Sequence, residues 1–187
     1  MTPKKPRKAP QPATVSQCVL WAERGQELLE QTAAGAHSGR VEPKGMIVAR
    51  FGLPLHLCQP QNRRCHQPGW VYRQIRNQLF ELMAAQQMIA GRFLGDPLPG
   101  RPQVRCARFS PRATDAYADW AKQAVDILCP SVVKRTREGG FSKTSMGLGI
   151  ILGDSPELIA QHQWCEPAKV GNGFVYLEVR TGDEVQV

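Results

Sequence analysis

Apolar residues recur at helical spacing in three parts of the chain. The first pattern, with Ser16 as the N-cap, predicts a helix from about Ser16 to Gln31, within the segment of residues 15–33. The second and longest runs over Trp70–Ala90, and Gly91 is expected to end it. The third, which Thr114 can cap, predicts a helix over Thr114–Leu128.

Four other segments show the composition or the alternation of β-strands. They are Met46–Leu57, Gln103–Phe109, Gly147–Leu152 and Phe174–Arg180. In the second segment, Val104 and Cys106 are expected to face the core. The basic, glycine-rich stretch Ser131–Ser145 is predicted to be a mobile loop. The order β-α-β-α-β-β predicts a single α+β domain with a mixed β-sheet and packed helices.

Composition divides the chain into four parts. Residues 1–14 are rich in lysine and proline and predict a disordered basic arm, residues 15–33 form the first helix, and residues 34–45 are a Gly/Ser/Pro linker. Residues 46–187 then form the main domain. Because the linker separates the first helix from this domain, the helix is expected to pack either on the domain or on a protein partner.

The apolar runs and the cysteines indicate a cytoplasmic protein. No apolar run approaches the roughly 20 residues that span a bilayer, so no membrane association is expected, and the arm lacks the apolar segment of a secretory signal. The six cysteines are scattered without close pairs, so we expect them to stay reduced rather than to form a zinc site or disulfides.

Charge is distributed unevenly along the chain. Lysines and arginines number 24 against 16 acidic residues, a net charge of +8. The segment from Pro43 to Phe80 contains no acidic residue, and it includes four arginines that we expect to contact nucleic-acid phosphates: Arg63, Arg64, Arg73 and Arg76. This pattern favours a nucleic-acid partner, although a basic surface that serves only solubility is the alternative.

The third predicted helix carries a charged stripe. At helical spacing, Asp115, Asp119, Lys122 and Asp126 fall within about 60° of one another. The stripe is typical of a solvated helix face with local ion pairs. The alternative is a Mg²⁺ site, because Mg²⁺ prefers carboxylate oxygens and stabilises charge on a phosphate under attack. Such a site needs an acid from another element, and Asp154, in the turn GDSP, is the candidate.

The order of several pieces resembles the RusA family of Holliday-junction resolvases. The pieces span about Met46 to Val179 and are RFGLPLHLCQPQNRR, WVYRQIRNQLFELM, PQVRCARFSP, DAYADWAKQAVDIL, GIILGDSPELI and GFVYLEV. The fourth stands where the family typically shows DxDNxxKxxxDxL, and the fifth where it shows DDSPxxI. The resemblance implies a homodimeric, Mg²⁺-dependent endonuclease of phages or bacteria that acts on branched DNA in recombination and repair.

The chain departs from the family pattern at three acidic positions. With Lys122 and Asp126 in register, the two aspartates that precede them in the family are Ala116 and Ala118 here. Gly153 replaces the first aspartate of the second motif, whereas Asp154 keeps the second.

Two hypotheses of function follow from the resemblance. In the first, Asp115, Asp119 and Asp154 hold Mg²⁺, and Lys122 assists at the phosphate. In the second, the chain is a catalytically inactive RusA-like module that binds nucleic acid or a protein partner within a larger phage or bacterial assembly.

Overall fold

A computed structural model describes residues 12–33, 45–58, 68–91, 96–110, 120–135, 139–167, 171 and 173–183. The helices in this part of the chain are α1 (Val15–Ala33), α2 (Gly69–Ala90) and α3 (Lys122–Leu128). The strands are β1 (Ile47–Pro54), β2 (Arg101–Ser110), β3 (Val132–Arg135), β4 (Phe141–Ser145), β5 (Ala160–Pro167) and β6 (Phe174–Asp183). None of these helices combines the length and the apolar character needed to cross a bilayer.

The main sheet has four strands in the order β1-β6-β2-β5. β6 pairs antiparallel with both β1 and β2, whereas β5 runs parallel to β2. The sheet is therefore mixed, and the predicted α+β class is confirmed. The sequence pattern did not predict β5, because its residues AQHQWCEP are largely polar. In the sheet β5 lies at an edge with one neighbour, a position that tolerates polar side chains.

Helices cover both faces of this sheet. Val104 and Cys106 point into the larger core on the face of α2 and α3, as predicted, together with Leu79 and Val125. The residues of β6 from Phe174 to Val179 are all buried, since alternate side chains enter opposite cores.

α1 packs on the other face of the sheet. Its Trp21 ring stacks on Phe174, with centroids 5.9 Å apart. Glycine permits the close approach to β1, because a Cβ at Gly52 would lie 2.2 Å from the carbonyl oxygen of Cys18. Of the two positions expected for this helix, the structure therefore shows packing on the chain's own domain.

α2 begins one residue before the predicted Trp70 and ends at the predicted Ala90. Gly91 ends it in the left-handed conformation with φ 63°. Gln86, buried on this helix, donates to the backbone oxygen of Gly52 and accepts a 2.9 Å hydrogen bond from the Gly52 amide. This amide pair attaches α2 to β1.

The helix predicted over Thr114–Leu128 is not continuous in the structure. Residues 111–119 lie outside the described residues, but Trp120 and Ala121 are not helical and α3 begins at Lys122. The first helical bond joins the Val125 amide to the Ala121 oxygen. Trp120, just before the helix, is buried in the larger core. The prediction of a helix that continues through Trp120 and Ala121 is therefore wrong, and of the four residues in the predicted stripe only Lys122 and Asp126 lie among the described residues.

Two further predictions are corrected between residues 131 and 152. The expected mobile loop Ser131–Ser145 contains the antiparallel hairpin of β3 and β4, in which the β-branched Val132 and Val133 favour a strand. Gly147–Leu152 is not a strand, because its amides bond to the end of α3 instead of to a neighbouring strand.

Candidate functional site

A lysine and an aspartate of α3 meet a second aspartate from a later part of the chain. The Lys122 ammonium lies 2.7 Å from Asp126 Oδ1, one helical turn away. The same ammonium contacts Asp154 Oδ2, from a residue 32 positions later in the sequence. The structure thus brings Lys122 and Asp154 together, whereas Asp115 and Asp119 lie outside the described residues.

Backbone hydrogen bonds at the end of α3 place Asp154. The amides of Leu148 and Ile150 donate to the carbonyl oxygens of Ile127 and Leu128, each at 2.7 Å. These bonds satisfy helix-end carbonyls that have no partner within the helix. The segment then runs back along α3, so that the following turn carries Asp154 to Lys122.

Arg76 joins α2 to the same cluster. Its guanidinium donates to the Met146 oxygen at 3.1 Å, and it lies 3.8 Å from Asp126 Oδ2. Only 16% of its side chain is exposed, so Arg76 links elements of the fold, and its contact with a nucleic-acid phosphate stays a prediction. Arg73, one turn earlier, is exposed, and Arg63 and Arg64 lie outside the described residues.

The three titratable groups have shifted pKa values. Burial raises the pKa of Asp126. The hydrogen bond from Lys122 lowers the pKa of Asp154, more than its partial burial raises it. Partial burial disfavours the charged form of Lys122, but hydrogen bonds to Asp126 and Asp154 outweigh this effect and raise its pKa.

The charges of these groups balance. Asp126 and Asp154 supply two negative charges, and Lys122 and Arg76 supply two positive charges. Carboxylates are suitable ligands for Mg²⁺, but both are already paired. In the part of the chain that the structure describes, no three histidine, cysteine or acidic side chains cluster to hold a metal ion. Of the three predicted ligands only Asp154 lies within the described residues, so the Mg²⁺ site that the resemblance implies stays a prediction.

A groove opens next to this cluster. We use this name for a cavity of about 380 Å³ lined by Tyr72, Arg73, Arg76, Asp126, Cys129, Pro130, Val132 and Ser145. The Nε atom of Arg76 is buried without a hydrogen-bond partner. Burial and the nearby aspartates raise the pKa of Cys129 to about 11, so its thiol stays protonated at neutral pH.

Exposed residues near the groove add positive charge and apolar surface. Lys134 and Arg135 follow Val132 along β3, and all three are exposed. Trp70, one turn before Arg73 on α2, is 62% exposed. Lys134 and Arg135 were not among the contact residues expected from the sequence, although the basic composition of their segment is visible there.

A second charged cluster lies within the sheet, on the side that α1 covers. Glu178 is 1% exposed and pairs with Arg105 at 2.6 Å and with Arg180 at 2.8 Å. Tyr176 donates to its other oxygen at 2.7 Å, and burial raises the pKa of Tyr176. Both oxygens of Glu178 are used within the fold, which indicates a structural role.

Comparisons with known proteins give no relative. No family model matches the sequence, and neither the curated proteins nor the solved structures include a significant match. The resemblance to the RusA family stays a prediction.

Proposed function

We propose that the chain is a RusA-like module that binds branched DNA through the groove and the β3–β4 hairpin. The observation that carries this proposal is the charge distribution at the groove. The described carboxylate that lines it is paired with Lys122 and Arg76, whereas Arg73, Lys134 and Arg135 are exposed. The unbalanced charge is therefore positive, as contact with phosphates requires.

The groove and its surroundings also offer apolar surface. Tyr72 lines the groove, and Trp70 is exposed nearby on the same helix. Aromatic side chains stack on exposed base faces, and the open crossover of a four-way junction exposes the faces of its central base pairs. Phosphate contacts position the DNA without reading its bases, and this apolar surface is the proposed contact to the crossover.

A Mg²⁺-dependent endonuclease is the second candidate function. It is favoured by the contact of Lys122 with Asp154, the two residues that the resemblance places in separate motifs. In this hypothesis Asp115, Asp119 and Asp154 would hold the metal ion, and Lys122 would act at the phosphate. The binding module is placed first because Ala116, Ala118 and Gly153 stand where the family has aspartates.

One experiment separates the two functions. A fluorescent four-way junction and a duplex of equal length are titrated with the protein by anisotropy, and the same mixtures are then incubated with Mg²⁺ or Mn²⁺. The module is expected to bind the junction without cutting it, and Lys134→Ala/Arg135→Ala should weaken binding. Arg24→Ala is the matched control, because Arg24 is an exposed arginine on α1 that pairs with Glu27.

Each outcome assigns a function. Cleavage that Asp154→Asn abolishes would establish the enzyme instead of the inactive module. Failure of the intact protein to bind either DNA at low salt would contradict both functions, and a protein partner would then be sought.

A homodimer belongs to this proposal, since the resemblance implies one and a two-fold dimer suits a four-way junction. Light scattering coupled to size exclusion should give about twice the chain mass of 20.8 kDa. A monomeric mass at micromolar concentration would contradict the dimer.

A further inference from the structure

Lys122 occupies the place between Asp126 and Asp154 where a bound cation would neutralise both carboxylates. Its ammonium contacts one oxygen of each residue. Arg76 approaches the second oxygen of Asp126 at 3.8 Å. The pair therefore has a positive partner from within the chain on both sides of Asp126.

This arrangement opposes the binding of a divalent ion. An ion on the same oxygens would lie within a few ångströms of the ammonium, and the repulsion grows with the product of the charges. Lys122 has two hydrogen bonds to lose, and the backbone bonds at the end of α3 anchor the segment that carries Asp154. Displacement of the ammonium would also leave its charge without these partners.

We propose that the Lys122 ammonium is the resident cation of the Asp126–Asp154 pair and excludes divalent metal ions from these two carboxylates. The pair then has carboxylate oxygens that suit a metal ion, but its negative charges are already neutralised by cationic side chains of the same chain. This inference does not rest on DNA binding, because it concerns only contacts within the free protein.

Manganese binding to the free protein tests this proposal. Mn²⁺ is titrated into the full-length protein, and the free ion is measured by electron paramagnetic resonance. The single variant Asp154→Asn should bind Mn²⁺ with the same affinity as the wild-type protein. Lys122→Met keeps the aliphatic length but removes the charge, and it should bind Mn²⁺ at least about tenfold more tightly. The double variant Lys122→Met/Asp154→Asn should lose this gain.

Two controls separate the local effect from net charge. Lys134→Met removes an exposed lysine of the hairpin and should leave Mn²⁺ affinity at the wild-type value. Lys122→Arg keeps the positive charge and should also show no gain.

Two results would overturn the proposal. One is a wild-type Mn²⁺ affinity that falls in Asp154→Asn, since this would place a metal ion on the pair despite Lys122. The other is a Lys122→Met protein, folded by circular dichroism, with wild-type affinity. Should Lys122→Met not fold, the comparison of wild type with Asp154→Asn decides alone.

Discussion

Lys122 couples residues that are distant in sequence, and its charge state therefore affects all of them. It neutralises Asp154 and shares Asp126 with Arg76. Asp154 is the more exposed of the two carboxylates, because 37% of its side chain is exposed against 22% for Asp126. Its hydrogen bond with Lys122 lowers its pKa, so its ionised form contributes to stability.

The pH dependence of stability should reveal this contribution. A carboxyl group whose pKa is lowered by folding stabilises the protein above its unfolded pKa, near 3.8, and loses that effect as the pH falls through its folded pKa. Asp154→Asn should therefore reduce the free energy of unfolding at pH 6, and the difference from wild type should shrink below about pH 4. Urea denaturation across this pH range measures it. A difference that stays constant with pH would show that Asp154 gains nothing from its charge.

Arg73 provides a second prediction for a single residue. It is exposed and lines the groove, so one phosphate contact is assigned to it. Arg73→Ala should reduce the slope of log affinity against log salt concentration by about 0.9 on duplex DNA. Arg63→Ala/Arg64→Ala, outside the described residues, should reduce the slope by about 1 to 2 units. A salt titration by anisotropy checks both, and an unchanged slope in Arg73→Ala would remove that residue from the interface.

At the scale of elements, the close packing of α1 on the sheet depends on two glycines, which have no side chain at the contact. Gly52 lies beneath Cys18 and Ala22, and Gly25 lies against the ring of Tyr176. Neighbouring backbone cannot shift without lifting the helix, because Cys18 and Ala22 are themselves buried. The sequence shows the glycines, but only the packing shows what approaches them.

Gly52→Ala should therefore destabilise the protein. A Cβ there would lie 2.6 Å from the Ala22 amide nitrogen, so we expect a loss of about 1–3 kcal/mol, as for overpacked cores. Gly69→Ala is the matched control, since no atom lies within 4 Å of its added Cβ. Thermal melts of both variants provide the measurement. Equal melting temperatures for the two would show that α1 does not pack closely on β1.

At the scale of the whole molecule, α1 completes the second core of the sheet. Leu29 packs with Phe109, Phe174 and Tyr176, and Trp21 stacks beside them. Without α1 these side chains of β2 and β6 would face water, although the core on the opposite face of the sheet would remain. The helix is thus part of the domain on which it packs.

Removal of residues 1–33 should consequently leave an unstable protein. Each large apolar side chain that returns to water costs about 1.5–3 kcal/mol, and the total is comparable to the stability of an ordinary domain. Removal of residues 1–11 keeps α1 and every contact described for it, so it should preserve the melting temperature. Calorimetry on both truncations tests this. A chain starting at residue 34 that unfolds at the wild-type temperature would make α1 dispensable.

How much of this protein the sequence determines depends on whether a feature is local. Helical period and a terminal glycine predicted α2, and period-two alternation predicted β6, because both signals arise within the element. The kinds of side chain at the site, including Lys122 and Asp154, were also visible. Whether Asp115 and Asp119 join them stays a prediction.

Only the tertiary structure decided which residues meet. The amides of residues 148–151 donate to backbone oxygens at the end of α3. This segment was expected to be a strand, but in the structure it positions Asp154. Arg76 links elements because Met146 and Asp126 lie within its reach. The polar strand β5 pairs with β2. The physical reason is that hydrophobic period records which side of an element is buried. It does not record which distant backbone groups will complete the hydrogen bonds of that element, or which charges will pair with its charged side chains.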